Sequence, residues 1–183
     1  MWRPYVLKTI LAVILLSAPV LLADQLQAVA VVKAACGPDE VKFNVGSSGP
    51  QPATQLEPGK ALVYVVEEYE KPENELVTPT LRVGLDGAWV GATYGTSYLF
   101  LSVEPGEHHL CSDWQSLPPL RLINHVPASL ASLTAAGQTY YFRARIVEHS
   151  GNGPWTLDLE RLDRDEGQLL VATSPLSGYR EKQ

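Results

Sequence analysis

The sequence predicts an all-β protein, an antiparallel β-sandwich of about seven or eight strands with one short C-terminal helix. Short apolar or alternating runs recur along the chain, separated by Gly/Pro turn signals. Only one stretch after the N-terminal region, Asp163–Ala172, has the character of a helix. No long period repeats, which argues against a solenoid.

Taken in order, the chain opens with Arg3 and Lys8, an uncharged run from Thr9 to Leu22, and the small-x-small triplet Ala28-Val29-Ala30. That order predicts a secretory signal peptide cleaved after Ala30, with Ala23 as second choice. The run contains Pro19 and is short for a membrane span, which needs about 20 residues. Residues 31–58 form a Pro/Gly-rich lead, in which Val41, Phe43 and Val45 alternate with polar neighbours and predict one short strand.

From residue 59 to 175 the pattern predicts the sandwich. Ala61 to Val66 is apolar on both faces, as in a strand buried on both sides. Leu81, Val83 and Leu85 alternate with Arg82, Gly84 and Asp86. Asp86-Gly87 suits a type I′ turn, which needs positive φ at both central residues. Trp89-Val90-Gly91 begins the returning strand, and Tyr98 to Val103 is another. Glu104-Pro105-Gly106-Glu107 is a turn into His108–Trp114. After a proline-rich loop (Ser116 to Pro127), Leu130–Leu133 is a short strand. Thr139–Val147 alternates clearly, with Tyr140, Phe142, Ala144 and Ile146 on one face. Gly151–Pro154 is a turn, and Trp155, Leu157 and Leu159 alternate after it. Asp163–Ala172 carries acidic residues in its first turn, where the helix dipole favours them, although Gly167 costs it about 1 kcal/mol. Residues 176–183 are expected as a tail.

Composition narrows the function classes. The 183-residue chain has a formal charge of −6; removal of residues 1–30, with Arg3, Lys8 and Asp24, leaves about −7. No cationic footprint for nucleic acid is visible, and an anionic membrane surface is disfavoured for the same reason. The only two cysteines, Cys36 and Cys111, are expected to pair in an oxidising compartment. The expected location is the periplasm or cell envelope. Membrane attachment would come through an uncleaved signal anchor or through lipid on Cys36. Lys33 stands where a lipoprotein signal has an aliphatic residue, which argues against the lipid.

Several of these segments resemble a known family. Gly59-Lys60-Ala61-Leu62-Val63-Tyr64, Val83-Gly84-Leu85-Asp86-Gly87 with Trp89-Val90-Gly91, Ser97-Tyr98, Val103-Glu104-Pro105-Gly106 with His108 and Leu110, and Thr139-Tyr140-Tyr141-Phe142 resemble exported bacterial proteins grouped as domain of unknown function 2846. The likeness covers about residues 59–148. It implies an envelope location, and a lipid anchor in some relatives. It implies no catalytic residues.

Catalytic motifs are scarce. His109, Asp113 and His125 are the best metal set, yet no His-x-His or His-x-x-x-His spacing occurs and a disulfide competes for Cys111. No Gly-x-Ser-x-Gly elbow is present. The carboxylate pairs Glu67-Glu68 and Asp163 to Glu166 suit a strand rim and a helix start better than a glycosidase site. No catalytic residue, metal or cofactor is therefore assigned, and a non-enzymatic role is expected. Trp89 and Trp155 are expected in the core. Trp114, Tyr94 and Tyr98 are candidate ligand-binding aromatics, placed near loop tips where glycan- or peptide-binding surfaces form. The two readings are thus an interaction or structural protein with an unidentified envelope partner, and a glycan- or peptide-binding, less plausibly hydrolytic, module. Exposure of the three aromatics separates them.

Overall fold

The computed structural model describes residues 35–47, 57–69, 78–116, 128–147 and 156–183. The expected signal peptide, the proline-rich loop beyond Ser116 through Pro127 with His125, the expected Gly151–Pro154 turn and Trp155 lie outside these. The described residues form β1 (Phe43–Ser47), β2 (Ala61–Glu68), β3 (Thr80–Leu85), β4 (Ala88–Tyr94), β5 (Tyr98–Val103), β6 (Gly106–Ser116), β7 (Ser129–Ala135), β8 (Thr139–Val147), β9 (Thr156–Leu162), α1 (Arg164–Thr173) and β10 (Ser177–Glu181).

Two four-stranded sheets face one another, in the orders β5-β2-β8-β9 and β4-β3-β6-β7. The chain reverses at each strand from β2 to β9, so even-numbered strands run one way and odd-numbered strands the other. β2 and β8 are therefore parallel neighbours, and the first sheet is mixed rather than wholly antiparallel. The expected Asp86-Gly87 turn is present, with φ of 51° and 84°. It lies with the short β5–β6 and β7–β8 turns at one end of the sandwich. The β2–β3, β4–β5, β6–β7 and β8–β9 connections all leave from the other.

The core lies between the sheets. Val63 and Val65 of β2, Leu81 and Val83 of β3, Leu110 and Trp114 of β6, and Tyr140 and Phe142 of β8 are its centre. Burying each such aliphatic side chain contributes about 1.5–3 kcal/mol before entropy is counted. The alternate residues of β2, Leu62, Tyr64 and Val66, form a second apolar layer with Tyr98 and Tyr141 on the outer face of the first sheet. α1 covers that layer with Leu170 and Val171. Asp163 caps the helix by accepting from the Glu166 N–H at 2.9 Å. Gly167, weak as a helix former, is needed here: a Cβ would collide with the Tyr141 ring.

Ten strands appear among the described residues, against the seven or eight expected: eight form the two sheets, β1 falls where Val41, Phe43 and Val45 predict a strand, and β10 arises in the expected tail. β1, from the expected lead, pairs antiparallel with β10, from the expected tail. The residues read as a tail are thus part of the fold. Ser177 Oγ donates to the Ala92 carbonyl at 2.7 Å, and the Tyr179 ring stands where a Gly91 side chain would be. Phe43 meets Tyr179 edge-on with centroids 5.9 Å apart. The ribbon docks on β4 in this way.

Candidate functional site

The most elaborated surface is the outer face of the second sheet. Alternation leaves Arg82 and Gly84 of β3 and Cys111 and Asp113 of β6 pointing away from the core. Such a face would ordinarily meet water. Here residues 35–43 cross it as a strap. Cys36 bonds to Cys111, with Cα atoms 5.2 Å apart, within the reach a disulfide requires. Both cysteines are buried, with Ala35, against Trp89, Ala128 and Leu130. The Cys36 sulfur in that bridge cannot also carry a lipid thioether.

Close approach depends on two glycines. A Cβ on Gly84 would lie 3.0 Å from the Ala35 carbonyl oxygen and 3.2 Å from the Cys36 Cα. One on Gly37 would collide with Trp89. The strap is then held mainly through its backbone. Trp89 Nε1 donates to the Pro38 carbonyl at 2.8 Å. Arg82 donates to the Val41 carbonyl at 3.0 Å and the Asp39 carbonyl at 3.3 Å. The same guanidinium bonds Asp113 Oδ2 at 2.6 Å and lies over the Trp89 ring, 4.1 Å from its centroid. Only 2% of Arg82 is exposed, so its charge is held in place by that carboxylate, those carbonyls and that ring. At the strap's end the Gln115 amide accepts from the Phe43 N–H and donates to the Phe43 carbonyl, as a neighbouring strand would.

The three candidate aromatics fall in three different layers. Trp114 is buried between the sheets, and Tyr98 is buried on the outer face of the first sheet. Tyr94, on the outer face of β4, is 46% exposed. Strand parity separates them: Trp114 and Tyr94 stand on strands of one sheet but on its opposite faces. The expected aromatic surface does not form. Trp89, expected in the core, instead stacks under the strap.

The carboxylate pairs separate likewise. Glu68 turns outward to Arg143, which also binds Glu160 and Glu166, each at 2.8 Å, and so ties β2, β9 and α1 to β8. Glu67 turns inward and is 1% exposed. Burial pushes its carboxyl well above the ordinary value; the facing Thr93 hydroxyl opposes this. Among the described residues, neither side chain makes a hydrogen bond of ordinary geometry.

His108 and His109 do not form a metal pair. His108 Nδ1 lies 2.6 Å from Asp86 Oδ2, and its Nε2 lies 2.8 Å from the Glu104 carbonyl oxygen. Two acceptors on one ring favour the imidazolium. The Asp86 hydrogen bond raises the His108 pKa most, burial opposes it, and the Glu104 carbonyl adds to it. A raised folded pKa means stabilisation that is complete below the ordinary value near 6.5 and lost as pH rises through the folded value. Asp86 is partly open to water, so His108→Gln is expected to cost about 1 kcal/mol or less, and only on the acid side. Urea unfolding of both proteins between about pH 5 and 9 checks this; a constant difference across the range would contradict it. Among the described residues no group of three metal-ligating side chains gathers, and no helix is long and apolar enough to cross a membrane.

These elements define a class: a two-sheet sandwich with one outer face covered by a helix and the other crossed by a disulfide-pinned N-terminal strap. Compared with protein-family models, curated proteins and solved structures, the chain matches none. Sequence reasoning missed the roles of Arg82 and Gln115 under the strap and the burial of Glu67, which it read as a rim residue. The one available signal was Gly84, since a glycine inside a strand marks a close backbone approach.

Proposed function

We propose that this chain is an exported, non-catalytic β-sandwich of the bacterial cell envelope with an interaction or structural role, akin to the domain of unknown function 2846 proteins that its motifs resemble. The observation that carries this is the buried Cys36–Cys111 bridge, a cross-link suited to an oxidising compartment. The leader-like order of residues 1–30 supports the same location. A role in binding or scaffolding is favoured because Arg82, Asp113, Gln115, Arg143 and His108 are engaged in holding the strap, the helix and the turns. The glycan- or peptide-binding alternative loses the shared aromatic surface on which it depended. Fractionation of the native host with N-terminal sequencing tests the reading. A chain in the envelope fraction beginning at Val31 is expected; a full-length cytoplasmic chain would contradict it.

A further inference from the structure

The interior holds one carboxyl that nothing described so far uses. Glu67 lies at the end of the sandwich from which the longer connections leave. Its N–H donates to the Ser97 carbonyl at 2.8 Å, which fixes the backbone, and its side chain points between the sheets. Its pairing partner on β8 is Ala144, which offers no polar group. Across the gap stands Thr93 of β4. Thr93 and Trp114 flank Leu81 in one row of the opposite sheet. Among the described residues, neither Glu67 oxygen, nor Thr93 Oγ1, nor Trp114 Nε1 makes a hydrogen bond of ordinary geometry. A buried carboxylate in such a place would cost several kcal/mol, whereas a neutral carboxylic acid costs far less.

We propose that Glu67 is an acid-set latch: as the neutral acid it lets this end of the sandwich stay closed, and its ionisation draws water between β2 and β4. Among the described residues, no cation faces it from any packed element. Arg143 and Arg145 of β8 and Glu68 of β2 lie on the outer face of the first sheet. On β9, Asp158 and Glu160 pair with those arginines on the same outer face. β4 and β6 present Thr93 and Trp114. Tyr98 of β5 lies in the outer apolar layer. Tyr69, two residues along and just past the end of β2, is itself buried. The upward push of burial on the carboxyl agrees with this geometry.

The sign follows from proton binding. The folded state keeps a proton that the unfolded chain releases above about pH 4.5, so stability falls as pH rises from there to the folded value. His108, at the opposite end, shifts stability in the same direction. The comparison must therefore be between the wild type and Glu67→Gln, which share His108. The folded-to-unfolded ratio of the wild type relative to Glu67→Gln is expected to fall by up to about tenfold per pH unit above pH 5. Amide exchange at Val65–Glu67 and Ala92–Thr93 is expected to rise more steeply with pH in the wild type. Carbon-13 NMR of the wild-type carboxyl gives a reading independent of any variant. A Glu67 resonance titrating in the ordinary carboxylate range would overturn the proposal, as would parallel stability profiles or equal pH dependence of exchange.

Discussion

Replacing both cysteines by alanine is expected to lower the stability of the oxidised protein by about 4 kcal/mol. The bridge joins residues 75 apart, and closing so long a loop removes much of the unfolded chain's freedom. Its effect in the folded state is also local. Residues 35–42 precede β1; they are held by the bridge, by Arg82, by Trp89 and by the Lys182 N–H, which donates to the Lys42 carbonyl at 2.7 Å, with Gln115 clasping Phe43 at their end. Without the bridge their amides should exchange faster while those of β2 and β8 stay protected. Urea unfolding with amide exchange reads both effects. A Cys36→Ala/Cys111→Ala protein within about 0.5 kcal/mol of the parent, with strap amides still protected, would show that the polar contacts suffice alone. Because both sulfurs are buried, the folded protein is also expected to resist small thiol reductants until it unfolds.

Arg82→Met is the second large effect, expected to cost about 3–5 kcal/mol. The change leaves the Asp113 carboxylate, whose side chain is only 16% exposed, without its cation. It also removes the donors to the Asp39 and Val41 carbonyls and the charge over Trp89. The double variant Arg82→Met/Asp113→Leu should recover much of the loss, because a pair replaced by apolar groups leaves no orphaned charge. Equal losses in the single and double variants would show that the strap carbonyls, not Asp113, are what Arg82 chiefly serves.

The two variants act on a surface that sequence patterning describes only in part. Alternation in β3 correctly sends Leu81 and Val83 to the core and Arg82 outward. It cannot say that the outward face will be covered, because the cover comes from residues 35–43, far off in sequence and with no strand periodicity over the part that crosses Gly84. The helix was legible to within a residue, since the acidic residues of its first turn are a local signal, although Asp163 proves to be the cap rather than the first helical residue. The Asp86-Gly87 turn was legible for the same reason: its chemistry is local. β10 was not, because Ser177–Glu181 is polar and short, and becomes a strand by pairing with β1. Trp114 and Tyr98 were misjudged as surface aromatics because nearness to a loop in sequence does not fix which face of a strand a side chain takes. Glu67 reads in sequence as part of a charged rim with Glu68, because an acidic residue at a strand end ordinarily faces water. Its burial depends on a second sheet whose position no local pattern encodes.

That the N-terminal strap is a covalent part of the domain is tested most directly by non-reducing peptide mapping of the native protein, alkylated on extraction from its host. The account predicts one cross-linked species joining the Cys36 and Cys111 peptides, no alkylated thiol, and no lipid on Cys36. Two alkylated cysteines, or a diacylglyceryl thioether at Cys36, would contradict it.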